Sequence, residues 1–283
     1  MPDGPGSPDA AATASSGETA AAGLGRGFTP GRASLVAYVM AGYPDRAGSL
    51  AALRVLAAAG ADVIELGVPY ADPLADGPVI ADAAAAARSA NEGGFGLVET
   101  IALVAEFAAD PGDGVLAAPP VALMTYFNPM LKLGLPRTAQ LAREAGVAGF
   151  IVPDLPPDSA RPWLAVSAGL DTVFLAAPTS TPARLAKVGS RSAGFVYCVS
   201  TTGVTGERAG LPPALGDLVA RVRAATALPV AVGFGVGTPE QAAEVACIAD
   251  GVVVGSAIVR RQADPAMLAD FVSALAEAVH TAR

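Results

Sequence analysis

The feature that most constrains the fold is a unit that the chain repeats eight times after Ala33. Each unit is a short apolar run rich in β-branched residues, then a polar or glycine-rich loop, then an alanine-rich amphipathic stretch. Most of the apolar runs are continuous, which is typical of parallel strands covered on both faces. The predicted strands are residues 34–40, 63–67, 121–126, 149–152, 172–176, 195–199, 229–232 and 251–254. The predicted helices are residues 46–59, 79–90, 97–108, 136–144, 159–168, 182–188, 212–224, 239–246 and 265–280.

Eight near-equal units in roughly 250 residues are typical of a (β/α)8 barrel. A doubly wound parallel sheet is the main alternative, and the equal size of the units favours the barrel. We therefore expect an α/β fold, with a single TIM barrel domain over residues 28–283. Residues 1–27 contain no large apolar residue before Leu24. Such a segment buries too little surface to offset its ordering entropy, so we expect a disordered tail and neither a signal peptide nor a membrane span.

Charge and composition exclude several classes of function. The chain carries a net charge of -8 and is 52% hydrophobic, which predicts a soluble cytoplasmic protein without nucleic acid or membrane partners. The single histidine, His280, makes a catalytic triad or a histidine-rich metal site unexpected. Cys198 and Cys247 show no CxxC spacing, so we interpret both as reduced core residues.

Glu65 is the residue that a purely structural interpretation explains least well. It lies in the predicted strand VIELG, on the same face as Val63 and Gly67, with apolar neighbours on both sides and no adjacent Lys or Arg. Burial of an unpaired carboxylate is costly, so desolvation should raise its pKa. A carboxyl group with a raised pKa is a candidate proton donor and acceptor at neutral pH.

Other polar residues follow the predicted strands, where barrel enzymes carry their chemistry. Tyr126 and Asn128 follow the third strand, Asp154 the fourth, and Tyr197 lies in the sixth. The two tyrosines could equally be core aromatics with a satisfied hydroxyl. Asp76 precedes Gly-Pro, and on spacing alone it is predicted to be a turn residue at a helix entry.

Two glycine clusters predict a phosphate site. Gly233–Gly237 (GFGVG) follows the seventh strand, and Gly255 with Ser256 follows the eighth and leads directly into a helix. In barrels these two loops commonly bind phosphate through backbone N–H groups and a helix N-terminus. The glycines could form only tight turns, but their recurrence at adjacent strands favours the phosphate site.

The sequence also resembles the tryptophan synthase alpha chain family. ELGVPYADPLADGP, which begins at Glu65, is nearly the family signature. Further matching stretches are AYVMAGYP, TYFNP, VPDLP, YCVSTTGVTGER, VGFGVGTPEQ and VVVGSAIV. The resemblance covers the chain from about Ala33 to its end and leaves out the tail.

The resemblance implies a lyase reaction, the retro-aldol cleavage of indole-3-glycerol phosphate to indole and D-glyceraldehyde 3-phosphate in L-tryptophan biosynthesis. It implies that Glu65 and Asp76 are the catalytic residues, which replaces the turn interpretation of Asp76. It places phosphate contacts at Gly206, Gly235, Gly255 and Ser256, and assigns Thr205 to a loop that reaches Asp76 on closure. It places the indole pocket at Tyr38, Met124, Tyr126, Ile151, Tyr197 and Phe234.

By the same resemblance we expect no cofactor or metal in this chain, and pyridoxal phosphate only in a partner beta chain, within an assembly of two alpha and two beta chains. Three alternatives stay open at this point. They are another phosphate-binding barrel such as a sugar-phosphate isomerase or epimerase, a free-standing lyase that releases indole, and a non-catalytic subunit that activates a partner. Intact carboxylates at residues 65 and 76 argue against the last.

Overall fold

Parallel strands in a single sheet form the centre of the chain in a computed structural model, which describes residues 23–72, 76–92, 94–199, 215–233 and 235–283. The strands are β1 (Ser34–Met40), β2 (Val63–Gly67), β3 (Val121–Met124), β4 (Gly149–Ile151), β5 (Asp171–Val173), β6 (Leu175–Ala176), β7 (Val196–Val199), β8 (Val230–Gly233) and β9 (Gly251–Val254). The helices are α1 (Arg46–Ala58), α2 (Pro78–Ala90), α3 (Leu97–Ala109), α4 (Phe127–Leu133), α5 (Leu135–Glu144), α6 (Arg161–Leu164), α7 (Pro182–Arg191), α8 (Leu215–Arg223), α9 (Pro239–Ala246), α10 (Ser256–Val259) and α11 (Pro265–His280).

The order of the strands closes the sheet into a barrel. The order is β5-β4-β3-β2-β1-β9-β8-β7-β6, so the two outermost strands are consecutive in the chain and only Phe174 separates them. They are the two halves of the fifth predicted strand. The strand is interrupted where the Phe174 N–H donates a hydrogen bond to the Ser192 hydroxyl at 3.3 Å. A doubly wound sheet would keep two separate edges, so the barrel prediction is confirmed.

The two faces of each strand divide the core into an outer layer and an interior. Along β1, Leu35, Ala37 and Val39 face outward and pack with the helices. Val36 faces inward, where it packs with Val63 of β2 and equivalent residues of the other strands. This alternation places Glu65 and Gly67 of β2 inside the barrel, on the face that the sequence predicted.

Two helices differ from the predictions because of contacts made far along the chain. Helix α4 was not predicted, and its first N–H, that of Phe127, donates to the Asp154 carboxylate at 2.9 Å. The predicted helix 159–168 shortens to α6 because Trp163 is fully buried, with its indole N–H donating to the Thr172 hydroxyl at 3.0 Å. The chain then turns at Gly169, whose φ of 80° favours glycine.

The predicted boundary of the tail at residue 27 is wrong by five residues. Gly23–Gly27 form a 3-10 helix, and the Leu24 side chain is fully buried among the interior residues of the barrel. The Leu24 N–H donates to the Asp171 carboxylate at 2.7 Å, and the ring of Phe28 lies 5.2 Å from that of Phe195. This segment therefore closes the N-terminal end of the barrel. Residues 1–22 lie outside the described residues, and their disorder stays a prediction.

The two cysteines differ in their surroundings. Cys198 is buried in β7, as predicted, and burial raises the pKa of its thiol to about 12. The prediction that Cys247 is a core residue is wrong, because it is exposed at the end of α9. Both thiols are free. No helix in the described ranges is long and apolar enough to span a membrane.

Candidate active site

Glu65 lies in the barrel interior without a hydrogen-bonding partner for one of its oxygens. The residue is 2% exposed, and Oε2 is fully buried with no donor in range. Burial raises the pKa of the carboxyl from its ordinary value of 4.5 to about 8, and the negative charge of Asp76 adds to the rise. Because desolvation disfavours the charged form, Glu65 carries a proton at neutral pH and can donate it.

Asp76 approaches the same region from the loop after β2, immediately before α2. Burial raises the pKa of its carboxyl, and a hydrogen bond from Tyr126 opposes the rise. The Tyr126 hydroxyl donates to Oδ2 at 3.3 Å, which is long for such a bond. Two carboxyl groups therefore face the end of the barrel in different environments, one fully enclosed and one held by a phenol.

Tyr38 and Tyr197 line the barrel interior near Glu65, the first on the neighbouring strand β1 and the second on β7. Tyr38 is 5% exposed and lies directly opposite Glu65 in the β1–β2 pairing. The pKa of both phenols is raised by burial first, and then by the charges of Glu65 and Asp76. The two hydroxyls therefore remain protonated and can donate hydrogen bonds to a ligand.

Two glycines make room for these phenols. A Cβ on Gly67 would lie 2.1 Å from the Tyr38 hydroxyl, and a Cβ on Gly233 would lie 2.3 Å from the Tyr197 hydroxyl. Neither distance is sterically possible, so any other residue would displace the tyrosine. The glycine of the VIELG strand therefore has a packing function beside Glu65.

Five of the residues predicted to form the indole pocket lie within the described ranges, and the structure brings them together. Met124 pairs with Gly67 on one side and with Ile151 on the other, so these residues form one layer of the barrel. Tyr126 follows β3, and its ring lies 5.3 Å from that of Tyr70. Together with Tyr38 and Tyr197 these residues form an apolar wall around the two carboxyl groups.

The predicted phosphate residues Gly235, Gly255 and Ser256 follow the adjacent strands β8 and β9. Gly235 has a φ of 32°, in the left-handed region that favours glycine. Gly255 precedes α10, and a Cβ there would lie 3.9 Å from the Cβ of Tyr38, so this backbone adjoins the pocket. Ser256 begins α10 and is 8% exposed. Thr205, Gly206 and Phe234 lie outside the described residues.

The sequence singled out Asn128 and Asp154 by their positions after strands but did not predict their partners, and it missed Gln262. The Asn128 amide donates to the Tyr70 hydroxyl at 2.9 Å, which connects the loop after β2 to helix α4. Asp154, a candidate from its position after the fourth strand, accepts from Phe127 and thereby caps α4. Gln262 is 2% exposed and bonds to both the N–H and the C=O of Met40, at 2.9 and 2.7 Å. No local signal identifies Gln262 or the partners of Asn128 and Asp154, because each bond spans distant parts of the chain.

Comparison with known proteins agrees with this geometry. The family model "Tryptophan synthase alpha chain" matches residues 27–281. This chain belongs to the tryptophan synthase alpha chain family. The alpha chain of Phenylobacterium zucineum is 47% identical over 263 residues, which are 89% of this chain and 92% of that protein. That of Mycobacterium marinum is 46% identical over 235 residues, which are 82% of this chain and 84% of that protein.

Solved structures of the family share the barrel. A tryptophan synthase chain from Mycobacterium tuberculosis matches with a TM-score of 0.80 and 44% identity, covering 88% of this chain and 93% of that one. The alpha subunit from Legionella pneumophila matches with a TM-score of 0.77 and 33% identity, covering 87% and 92%. These matches support the role of a tryptophan synthase alpha chain, and they do not favour the isomerase, free-standing or non-catalytic alternatives.

Proposed function

We propose that this chain cleaves indole-3-glycerol phosphate to indole and D-glyceraldehyde 3-phosphate as the alpha subunit of tryptophan synthase. The observation that carries the proposal is the pair of carboxyl groups in the barrel, with Glu65 protonated at neutral pH and Asp76 on the facing loop. A retro-aldol step of this kind needs an acid at one atom and an anion at another, and two carboxyl groups in different environments can supply both.

In the proposed mechanism, Glu65 donates its proton to C3 of the indole ring. This gives an indolenine in which the ring nitrogen is positively charged. The Asp76 carboxylate accepts the hydrogen bond of that N–H and stabilises the charge. Glu65, now ionised, takes the proton of the adjacent side-chain hydroxyl as the carbon–carbon bond breaks. The bonding electrons return to the ring and neutralise the nitrogen, and Glu65 regains its starting protonation state.

The remaining residues position the substrate. The apolar wall of Tyr38, Met124, Tyr126, Ile151 and Tyr197 would hold the indole ring. The backbone around Gly206, Gly235, Gly255 and Ser256 would hold the phosphate through N–H groups. The apolar and hydroxyl groups around Glu65 keep water from stabilising its charged form, which maintains its high pKa. In this proposal the chain uses no cofactor or metal of its own.

The proposed assembly contains two alpha and two beta chains, with pyridoxal phosphate only in the beta chain. Among the described residues, Asp76 accepts a long hydrogen bond from the Tyr126 hydroxyl, and the Tyr70 hydroxyl accepts one from exposed Asn128. Asp76 and Tyr70 both belong to the loop after β2. A beta chain that contacts this loop would hold Asp76 in place and let the loop that carries Thr205 close, which raises turnover through a shift in population.

The test is to incubate the purified chain with indole-3-glycerol phosphate, with and without beta chain, and to follow glyceraldehyde 3-phosphate with a coupled dehydrogenase. We expect slow cleavage alone and strong activation by the beta chain. Hydrogen exchange should show protection of residues 70–78 and 200–210 when beta chain and substrate are both present. Full activity of the isolated chain, without further gain on addition of beta chain, would contradict the activation and favour a free-standing lyase.

A further inference from the structure

A second cleft lies at the opposite end of the barrel from Glu65. It has a volume of about 360 Å³ and opens between the segment before β1, the link from α8 to β8, and the end of the chain. Arg32 lines it, eight residues before Met40 at the catalytic end of β1. At about 3.3 Å per residue in extended chain, the cleft is roughly 25 Å from the catalytic end. The two sites are therefore separate.

Arginines gather around this cleft, although the whole chain has a net charge of -8. Three guanidinium groups line it, those of Arg32, Arg223 and Arg283, together with the side-chain carboxylate of Asp250. One Asp250 oxygen lies 2.7 Å from Arg223 Nη2 and 3.5 Å from Arg283 Nη1. The other oxygen accepts the N–H of Val230 at 3.0 Å. The side-chain carboxylate of Asp250 thus contacts two guanidinium groups and one backbone N–H.

The arginines are held in place by groups that leave donor capacity for a ligand. Arg283 donates to the backbone carbonyls of Ala246 and Ala249 at 2.7 and 2.6 Å, which orient the guanidinium without neutralising it. Arg32 pairs with Asp62, and its side chain remains 33% exposed. Guanidinium groups positioned in this way match the oxygen geometry of carboxylates and phosphates.

Apolar side chains form much of the remaining wall, with Thr29 and Thr226 beside them. Phe28, Pro30, Leu228 and Pro229 line it, and Phe28 is fixed by its contact with the ring of Phe195. A wall of this kind favours a ligand with an apolar body, since a fully hydrated inorganic ion would gain little from it. We propose that the cleft binds a small organic oxyanion, with its carboxylate or phosphate against the three arginines and its apolar part against Phe28 and Leu228.

The local test uses phenylglyoxal, which modifies accessible arginines, on the full chain with peptide mapping by mass spectrometry. The probes are benzoate, phenyl phosphate and, as a neutral control, benzyl alcohol, with ionic strength held constant by sodium chloride. We expect benzoate or phenyl phosphate to protect Arg32 and Arg223. Arg88 on α2 and Arg137 on α5 are exposed reference positions that should stay reactive. The anion that protects more strongly identifies the oxyanion class.

Variants test the affinity in calorimetric titrations with the same probes. Arg223→Gln removes one cation, so binding should weaken on the order of tenfold or more, because hydrogen bonds between charged groups are among the strongest. Ala227→Trp places a large side chain into the cleft from an exposed position and should block binding while all three arginines remain. Arg137→Gln is the matched control and should bind like the parent chain.

Three results would overturn the proposal. One is equal protection of Arg88 and Arg137, which would indicate a general ionic effect. Another is equal protection by benzyl alcohol, which would indicate an apolar site without anion selectivity. The third is unchanged affinity in both Arg223→Gln and Ala227→Trp. None of these outcomes depends on lyase activity, so the inference can fail while the proposed function stands.

Discussion

The carboxylates at the two ends of the barrel differ in their hydrogen-bonding partners. At the N-terminal end, Asp62 interacts with Arg32, with the N–H of Leu35 at 2.8 Å and with His280 Nε2 at 2.7 Å. Three residues later on the same stretch of chain, Glu65 has a buried oxygen without any partner. A fully partnered carboxylate stabilises the fold, whereas an unpartnered one costs stability and gains reactivity. The comparison therefore distinguishes Asp62, a carboxylate that stabilises the fold, from Glu65, a carboxyl group with an oxygen available to a ligand.

The largest expected effect comes from Glu65→Gln. The amide keeps the size of the side chain but cannot transfer the proton, so turnover should fall on the order of 10²-fold or more while ligand binding persists. Asp62→Asn is the matched control, the same acid-to-amide change three residues away. It should leave turnover unchanged and lower the free energy of unfolding by about 1–3 kcal/mol, because Arg32 and His280 lose an ionised partner. If Glu65→Gln retained its turnover, another residue would have to transfer the proton.

Truncation of the N-terminus tests the other end of the barrel. Deletion of residues 1–21 should leave the melting temperature and turnover nearly unchanged, since these residues supply no large apolar side chain other than Met1. Deletion of residues 1–26 also removes Leu24, whose side chain is fully buried. We expect it to cost roughly 2–4 kcal/mol in unfolding free energy, as large core truncations do. Equal melting temperatures for the two truncations would show that Leu24 contributes nothing to the fold.

The raised pKa of Glu65 predicts how the free energy of unfolding changes with pH. The unfolded carboxyl ionises near pH 4.5, whereas the folded one keeps its proton until about pH 8. The folded state therefore binds more protons in this window, and stability falls as pH rises from about 4.5 to 8. Glu65→Gln should lack this loss and be more stable than the parent by roughly 4–5 kcal/mol above pH 8. Parallel denaturant titrations at pH 5 and 8.5 measure the difference, and identical pH profiles would contradict the raised pKa.

The smallest expected effect concerns the proposed phosphate backbone. Gly235→Val adds a branched side chain at a positive φ, where the chain should approach the anion, so KM should rise on the order of tenfold without unfolding. Gly114→Val is a suitable control, because that glycine also has a positive φ but lies in the loop before β3 with nothing within 4 Å of a Cβ. Equal KM values for the two variants would exclude the loop after β8 from the phosphate site.

The sequence by itself determined the class of fold and the residue whose carboxyl pKa is raised by burial. Strand and helix periods are local properties, so eight repeats predicted the barrel, and the unpaired Glu65 in an apolar strand predicted a raised pKa. Spacing alone predicted that Asp76 is a turn residue at a helix entry, and only the family resemblance proposed it as a catalyst. Its environment depends on Tyr126, 50 positions along the chain.

Only the tertiary structure decided which polar groups meet. It placed Leu24 inside the barrel against Asp171, assigned Asp154 to the start of α4, and exposed Cys247 on the outer surface. It also gathered Arg32, Arg223 and Arg283 around one cleft, although they are spread over 250 residues of sequence. The physical reason is the same in each case. Partners for buried or charged groups are supplied by closure of the barrel, which brings together residues that no local pattern relates.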